Sequence, residues 1–206
     1  NSGDLLDCDW NPIIGCEKYS IGCKKCWYME GIFPWQKRLG NIPSNIEPNQ
    51  VHVFENRLTQ KYLRTKKGVI GICQHGDLFW ENVSDSLIHK VLDIIDSVAP
   101  RYPTNKYVLW TKRASRMATF LTSRYPNGLP DYYACSVSIE NQAIANERIP
   151  ELIKINGLKI AMMEPMLGAI DISSYMNVID WVVVGSETGI DATPINFDWV
   201  TQVRDY

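Results

Sequence analysis

At 206 residues, 45% hydrophobic and 21% charged, with a net charge of −2 and a pI near 5.9, the chain has the length and core content of a soluble globular protein. It carries no global basic field that would mark a nucleic-acid binder, no apolar run long enough to span a bilayer and no secretory signal ahead of its first cysteines. Six cysteines in a chain this rich in core residues point to a reducing, cytoplasmic setting rather than to a disulfide framework.

A first short strand is expected near Leu5–Trp10. It runs into residues 10–28, where Cys16, Cys23 and Cys26 follow the spacing C-x6-C-x2-C, with Gly15 and Gly22 each directly before a cysteine. Glycine lets the backbone bend so that sulfurs converge, and Cys23-x-x-Cys26 is a common chelating pair for zinc or an iron–sulfur cluster. Structural zinc would need a fourth ligand, from Cys8, Cys73, Cys135 or one of three histidines, whereas a three-cysteine [4Fe–4S] cluster leaves one iron open. Unrelated buried thiols are the plainer alternative.

Beyond the cysteines, residues 26–39 read as an aromatic-rich helix interrupted by Pro34, and residues 40–62 as irregular, ending in a short helix. A regular alternation then begins. The apolar run 68–73 reads as a strand, and Ser84 caps an amphipathic helix that ends before Pro100. Strands at 106–110, 132–137, 158–162 and 180–184 alternate with helices over about 114–124, 142–154, 171–177 and 197–206. Each strand is short, apolar and β-branched or aromatic, as parallel strands covered on both faces should be.

Six such β/α units predict an α/β fold, a partial (β/α)6 TIM-like barrel formed by residues 1–206 as one domain. No glycine-rich dinucleotide fingerprint and no phosphate-binding P-loop motif is present. The polar residues gather just past the expected strand ends: Gln74, His75, Gly76 and Asp77, then Lys112 and Arg113, Glu140 and Asn141, Glu164, and Glu187. In a β/α barrel this face binds ligands, and the cysteine loop falls on it too. Each residue has a plainer use: Asp77 in a turn, Asn141 at a helix start, Lys112 and Arg113 as a solvated pair. Acids and bases after five strands are nevertheless more than scaffold turns require. His52 and His89 carry no assigned role.

Taken together, Trp10-Asn11-Pro12-x-x-Gly15-Cys16, Ser20-x-Gly22-Cys23-x-x-Cys26, Asp77-Leu78-Phe79, Leu109-x-Thr111-Lys112-Arg113, Ser136-Val-Ser-x-Glu140-Asn141, Glu164-Pro165-x-Leu167-Gly168 and Asp180-Trp181-Val-x-Val184-Gly185-x-Glu187 resemble the successive blocks of a bacterial and phage family of uncharacterised three-cysteine proteins regarded as radical-SAM-like. The resemblance runs in order from Trp10 to about Arg204. It implies a barrel of the radical-SAM type, with Cys16, Cys23 and Cys26 on a [4Fe–4S] cluster that binds S-adenosylmethionine and cleaves it reductively to start radical chemistry. It further implies that Gln74–Asp77 meet the methionine amine, Lys112 or Arg113 its carboxylate, Glu140 or Asn141 the ribose, and that Glu164 or Glu187 faces an unidentified substrate, with a nucleotide or nucleic acid among the candidates. Family members continue to a further strand, so the resemblance implies a chain cut short at its C-terminus. The first gap of six residues, and Lys25 ahead of the last cysteine, depart from the commonest radical-SAM spacing. The alternative is therefore a zinc-stabilised barrel that binds nucleic acid or protein through its aromatics and cations.

Overall fold

The structure is a computed structural model that describes residues 5–189 and 191–206. It divides into two compact units: Cys26–Trp110 together with Lys18 and the described residues before it, and Tyr19–Lys25 together with Thr111–Tyr206.

In the first unit, β1 (Cys8–Trp10) is followed by β2 (Ile13–Ile14), a π-helical turn over Trp27–Ile32, α1 (Phe33–Arg38), β3 (His52–Val53), α2 (Gln60–Leu63), β4 (Val69–Ile72), α3 (Asp85–Val98) and β5 (Lys106–Thr111), whose last residue falls in the second unit. Strands β1, β4 and β5 are parallel neighbours, with Trp10 beside Ile72 and Ile72 beside Leu109. The crossover α3 buries Ile88, Val91, Leu92, Ile95 and Val98, the face its periodicity marks out. Its start is fixed as expected, because the Ser84 hydroxyl accepts from the Leu87 amide at 3.3 Å. Asn105, almost fully buried, accepts from Gly68 N and donates to the Lys66 carbonyl, which ties the turn before β4 to the turn before β5.

Two details differ from the sequence reading. Pro34 does not break a helix: it lies in the first turn of α1, where its missing N–H costs nothing, and the wider π-helical turn precedes it. Within the irregular 40–62 stretch, β3 pairs antiparallel with β2, Ile13 beside Val53 and Ile14 beside His52. Two residues per strand are too few to leave a periodic signal.

The second unit holds a 3-10 turn over Ile21–Cys23, α4 (Ala114–Arg124), β6 (Tyr133–Ser138), α5 (Gln142–Leu152), β7 (Leu158–Met163), a 3-10 turn at Ser173–Tyr175, β8 (Trp181–Val184) and α6 (Phe197–Arg204). Strands β6, β7 and β8 are parallel, with Ala161 between Val137 and Val182. All six residues of β6 are buried, as a central parallel strand requires, whereas β8 is only half covered and exposes Trp181. The helix expected over 171–177 is a single 3-10 turn. The α/β class with parallel strands is thus present in both units. Among the described residues no helix is long and apolar enough to cross a membrane.

Candidate functional site

The polar residues singled out from the sequence all lie one to five residues beyond the C-terminal end of a parallel strand: Gln74–Asp77 after β4, Lys112 and Arg113 after β5, Glu140 and Asn141 after β6, Glu164 after β7 and Glu187 after β8.

In the first unit the Cys16 loop is joined by backbone to the segment after β4. Gly15 N donates to the His75 carbonyl at 3.1 Å, Asp77 N donates back to the Gly15 carbonyl, and Gly15 and Gly76 form an isolated parallel bridge. On the other side Cys16 N donates to the Pro48 carbonyl at 3.0 Å. Gly15 is required there, since its φ is +105° and a Cβ would stand 2.0 Å from the Gln50 carbonyl oxygen. After Cys26 the chain lays Tyr28 flat against the His75 ring, with centroids 5.3 Å apart, and Trp27 edge-on to it at 5.9 Å. The Tyr28 ring belongs to a cluster with Ile14, Phe33 and Ile42, against which Cys26 also packs. Among the described residues its buried hydroxyl has no hydrogen-bond partner, and burial above all pushes its pKa up.

His75 is fixed twice over. Asn11 Oδ1 accepts from its backbone amide at 3.0 Å, and Asp9, which accepts from Asn11 Nδ2 at 2.6 Å, stands 3.6 Å from His75 Nε2. Burial pulls the imidazole pKa below its ordinary value, Asp9 opposes the shift and Arg57 reinforces it. Asp77 fills the plainer role foreseen for it, since its side chain accepts from Phe79 N and holds the turn.

The second unit is organised by Glu140. Fully buried, it accepts from Ser20 Oγ at 2.5 Å and Lys112 Nζ at 2.7 Å on one oxygen, and from Arg148 Nη1 at 3.1 Å on the other. Arg148, itself 1% exposed, also donates to the Ser138 carbonyl, while its Nε and Nη2 have no hydrogen-bond partner among the described residues. The Arg148 and Arg113 guanidiniums lie over the Tyr19 ring at 5.5 and 4.6 Å. Burial alone would raise the Glu140 pKa; Lys112, Arg148 and the Ser20 hydrogen bond outweigh it and hold the pKa below the usual value. The cysteine turn rests on this carboxylate, because a Cβ on Gly22 would stand 2.6 Å from Glu140 Cγ, and Ser20 Oγ lies 3.9 Å from Cys23 Sγ.

The remaining strand-end residues are engaged as well. Asn141 Oδ1 caps α5 by accepting from Ile144 N at 3.0 Å. Glu187 accepts from Thr193 N at 2.8 Å and pairs with Lys25 at 3.4 Å, and the Thr193 amide is the main reason its pKa is lowered. Lys25 Nζ also donates to the Asp191 carbonyl. Glu164 lies against Gly185, where a Cβ would stand 2.7 Å from its Cγ. Sequence reasoning missed Ser20, Tyr19 and Arg148. Only the position of Ser20 inside the cysteine motif hinted at a role, and Arg148 sits mid-helix like any solvated cation.

Among the described residues no group of three or more His, Cys, Asp and Glu side chains is arranged to hold a metal ion. Cys16 and Cys26 are partly exposed thiols of the first unit, and Cys23 is a buried thiol of the second. The other thiols are of a different kind. Burial pushes Cys73 and Cys135 up to about 12, which leaves them protonated and unreactive at neutral pH. Iodoacetamide at pH 8, applied to the native metal-free protein, is expected to modify Cys8, Cys16 and Cys26 and to reach Cys73 and Cys135 only after unfolding. Peptide mass spectrometry of both samples checks this.

These features define an α/β protein of parallel strands whose cysteine loop is bonded to a strand-end segment. The chain belongs to the family described as protein of unknown function DUF5131, whose model matches residues 4–206. No curated protein and no solved structure matches it.

Proposed function

We propose that this chain is a radical-SAM-like enzyme, built as a partial (β/α)6 barrel, in which Cys16, Cys23 and Cys26 hold a [4Fe–4S] cluster and S-adenosylmethionine binds beside it. The observation that carries the reading is the backbone bonding of Gly15 to His75 and Asp77, which unites a cysteine loop with the residues that follow a buried parallel strand. Bound there, the cluster and S-adenosylmethionine would supply one-electron reduction and hydrogen abstraction from an unidentified substrate.

The protein's own residues then divide into two groups. Tyr28, Trp27 and His75 form an aromatic cluster next to Cys26, of which Tyr28 is buried and Trp27 exposed. Glu140, with Lys112, Arg148 and Ser20 all on its two oxygens, has little capacity left for a ribose hydroxyl. We assign it instead as a positioning residue for the Cys23 turn. Asn141 Oδ1 is likewise committed to its helix. Binding of S-adenosylmethionine is assigned to Gln74–Asp77, Lys112 and Arg113 and the substrate side to Glu164 and Glu187, where Asp77, Lys112 and Glu187 would exchange protein partners they already hold.

The test is anaerobic purification with iron, sulfide and zinc analysis, followed by EPR after dithionite reduction. About four irons per chain are expected, with a reduced-cluster signal that shifts on addition of S-adenosylmethionine and is lost in Cys16→Ala. One zinc and no iron would overturn the proposal and leave a zinc-stabilised binding module.

A further inference from the structure

We propose that the first unit also carries a pocket for a small zwitterion of the α-amino-acid type. This goes beyond the function proposed above and does not depend on any cluster. The pocket is a cavity of about 190 Å³ whose lining includes Asp9, Asn11 and His75, the cations Arg57 and Lys66, and the apolar Ile14 and Phe54. At ~30 Å³ per water it has room for about six waters, or for an amino acid of roughly nine non-hydrogen atoms.

Its charges are unusual. The Arg57 guanidinium lies 3.9 Å over the Phe54 ring and Lys66 Nζ 5.5 Å over the Tyr62 ring, yet among the described residues neither cation forms an ion pair. Arg57 is no loose surface side chain. Its carbonyl accepts from the indole of fully buried Trp10 at 2.9 Å, its amide donates to the Phe54 carbonyl, and Phe54 N donates to the Pro12 carbonyl. A planar, five-donor fork thus lies beside a cavity with none of its guanidinium donors bonded among the described residues, the form in which arginine takes a carboxylate.

The same cavity contains the opposite sign. Asp9 Oδ2 is held by Asn11 and faces His75, while Oδ1 has no partner among the described residues. A phosphate dianion would satisfy Arg57 and Lys66 but would meet the Asp9 carboxylate, and a simple amine would satisfy Asp9 and meet the two cations. A ligand with both an ammonium and a carboxylate answers both walls, and a short apolar side chain covers Ile14 and Phe54. An α-amino acid is the smallest common molecule of that kind.

Isothermal titration of the full chain with L-leucine and L-methionine tests this, alongside 4-methylpentanoate, which lacks the ammonium, isoamylamine, which lacks the carboxylate, and inorganic phosphate. Binding with a Kd on the order of 1 mM or tighter is expected for at least one amino acid, and about tenfold weaker or undetectable binding for both truncated analogues. Arg57→Met and Asp9→Asn are each expected to weaken amino-acid binding by about tenfold or more. Lys66→Gln, at a less embedded position, supplies a second variant should Arg57→Met fail to fold. S-adenosylmethionine carries the same ammonium–carboxylate pair and is titrated in parallel. Its independence of the amino acid keeps the pocket as a site of its own, and its competition with the amino acid would overturn the proposal by making the pocket part of the cofactor site. Phosphate or 4-methylpentanoate binding as tightly as the amino acids would overturn the proposal. So would no detectable binding of any amino acid.

Discussion

Glu140→Gln is expected to destabilise the protein by about 3–5 kcal/mol, the range found when one partner of a buried ion pair is removed. The side chain is fully buried and its charge is opposed by Lys112, only 19% exposed, and Arg148, 1% exposed. Neutralising it leaves two cations in a poorly solvated site, and the amide nitrogen would point a donor at Lys112 or Arg148, each of which also only donates. The expected loss exceeds the ~1 kcal/mol of a helix cap such as Ser84 or Asn141, so the carboxylate and not the local helix signals holds this part of the second unit. Urea denaturation of the wild type and the variant measures it.

The pH dependence has a definite sign. The folded-state pKa of Glu140 lies below its unfolded value, so its contribution is fully present above the unfolded value of about 4.3 and is lost as pH falls through the folded one. The wild type is therefore expected to lose stability below about pH 4.5 more steeply than Glu140→Gln, and the two curves should converge in acid. A variant with wild-type stability at pH 7 would mean that Lys112 and Arg148 find other partners, and that Glu140 is available for a ligand after all. Ser20→Ala separates the roles further: it leaves the ion pairs in place and removes only the hydroxyl that joins the carboxylate to the Cys23 turn.

The same residue illustrates what a sequence carries and what it hides. The β/α alternation was legible because buried strands and amphipathic helices repeat within single windows; α3 and β6 lie within a residue or so of where periodicity puts them. That Glu140 lies just past a strand end was legible as well, but not what it does there. Its partners are 120 residues away at Ser20, 28 away at Lys112, and eight away at Arg148 on a helix whose sequence gives that arginine no distinguishing mark. The amino-acid pocket was equally invisible, since Asp9 and Arg57 are unremarkable alone and become a site only when Trp10 anchors the backbone of Arg57. Local patterns encode elements; long-range hydrogen bonds decide which strand-end residues remain available for chemistry.

Gly15→Ala is expected to cost about 3 kcal/mol or more and to carry the cysteine loop with it. Two costs combine. A φ of +105° is a conformation that L side chains rarely adopt, typically ~1–3 kcal/mol of strain. The new Cβ would also meet the Gln50 carbonyl oxygen at 2.0 Å and its carbon at 2.7 Å, and this neighbour is backbone, which cannot rotate away. Relief requires the 47–51 segment or the 74–77 segment to move. Either displacement breaks bonds among Gly15 N to His75, Asp77 N to Gly15 and Cys16 N to Pro48, at about 1 kcal/mol each. Gly31 provides the control: it lies in the π-helical turn beside Cys26, has nothing within 4 Å of an added Cβ, and its alanine variant is expected to stay within about 0.5 kcal/mol of wild type. Thermal denaturation reads the stability difference and anaerobic iron analysis reads the site. If Cys16 ligates a cluster, Gly15→Ala should lose most of its iron while Gly31→Ala keeps it. A Gly15→Ala protein with unchanged melting temperature and iron content would mean that the backbone at residues 15 and 76 does not determine where Cys16 stands. The observation on which the cluster assignment rests would then carry no weight.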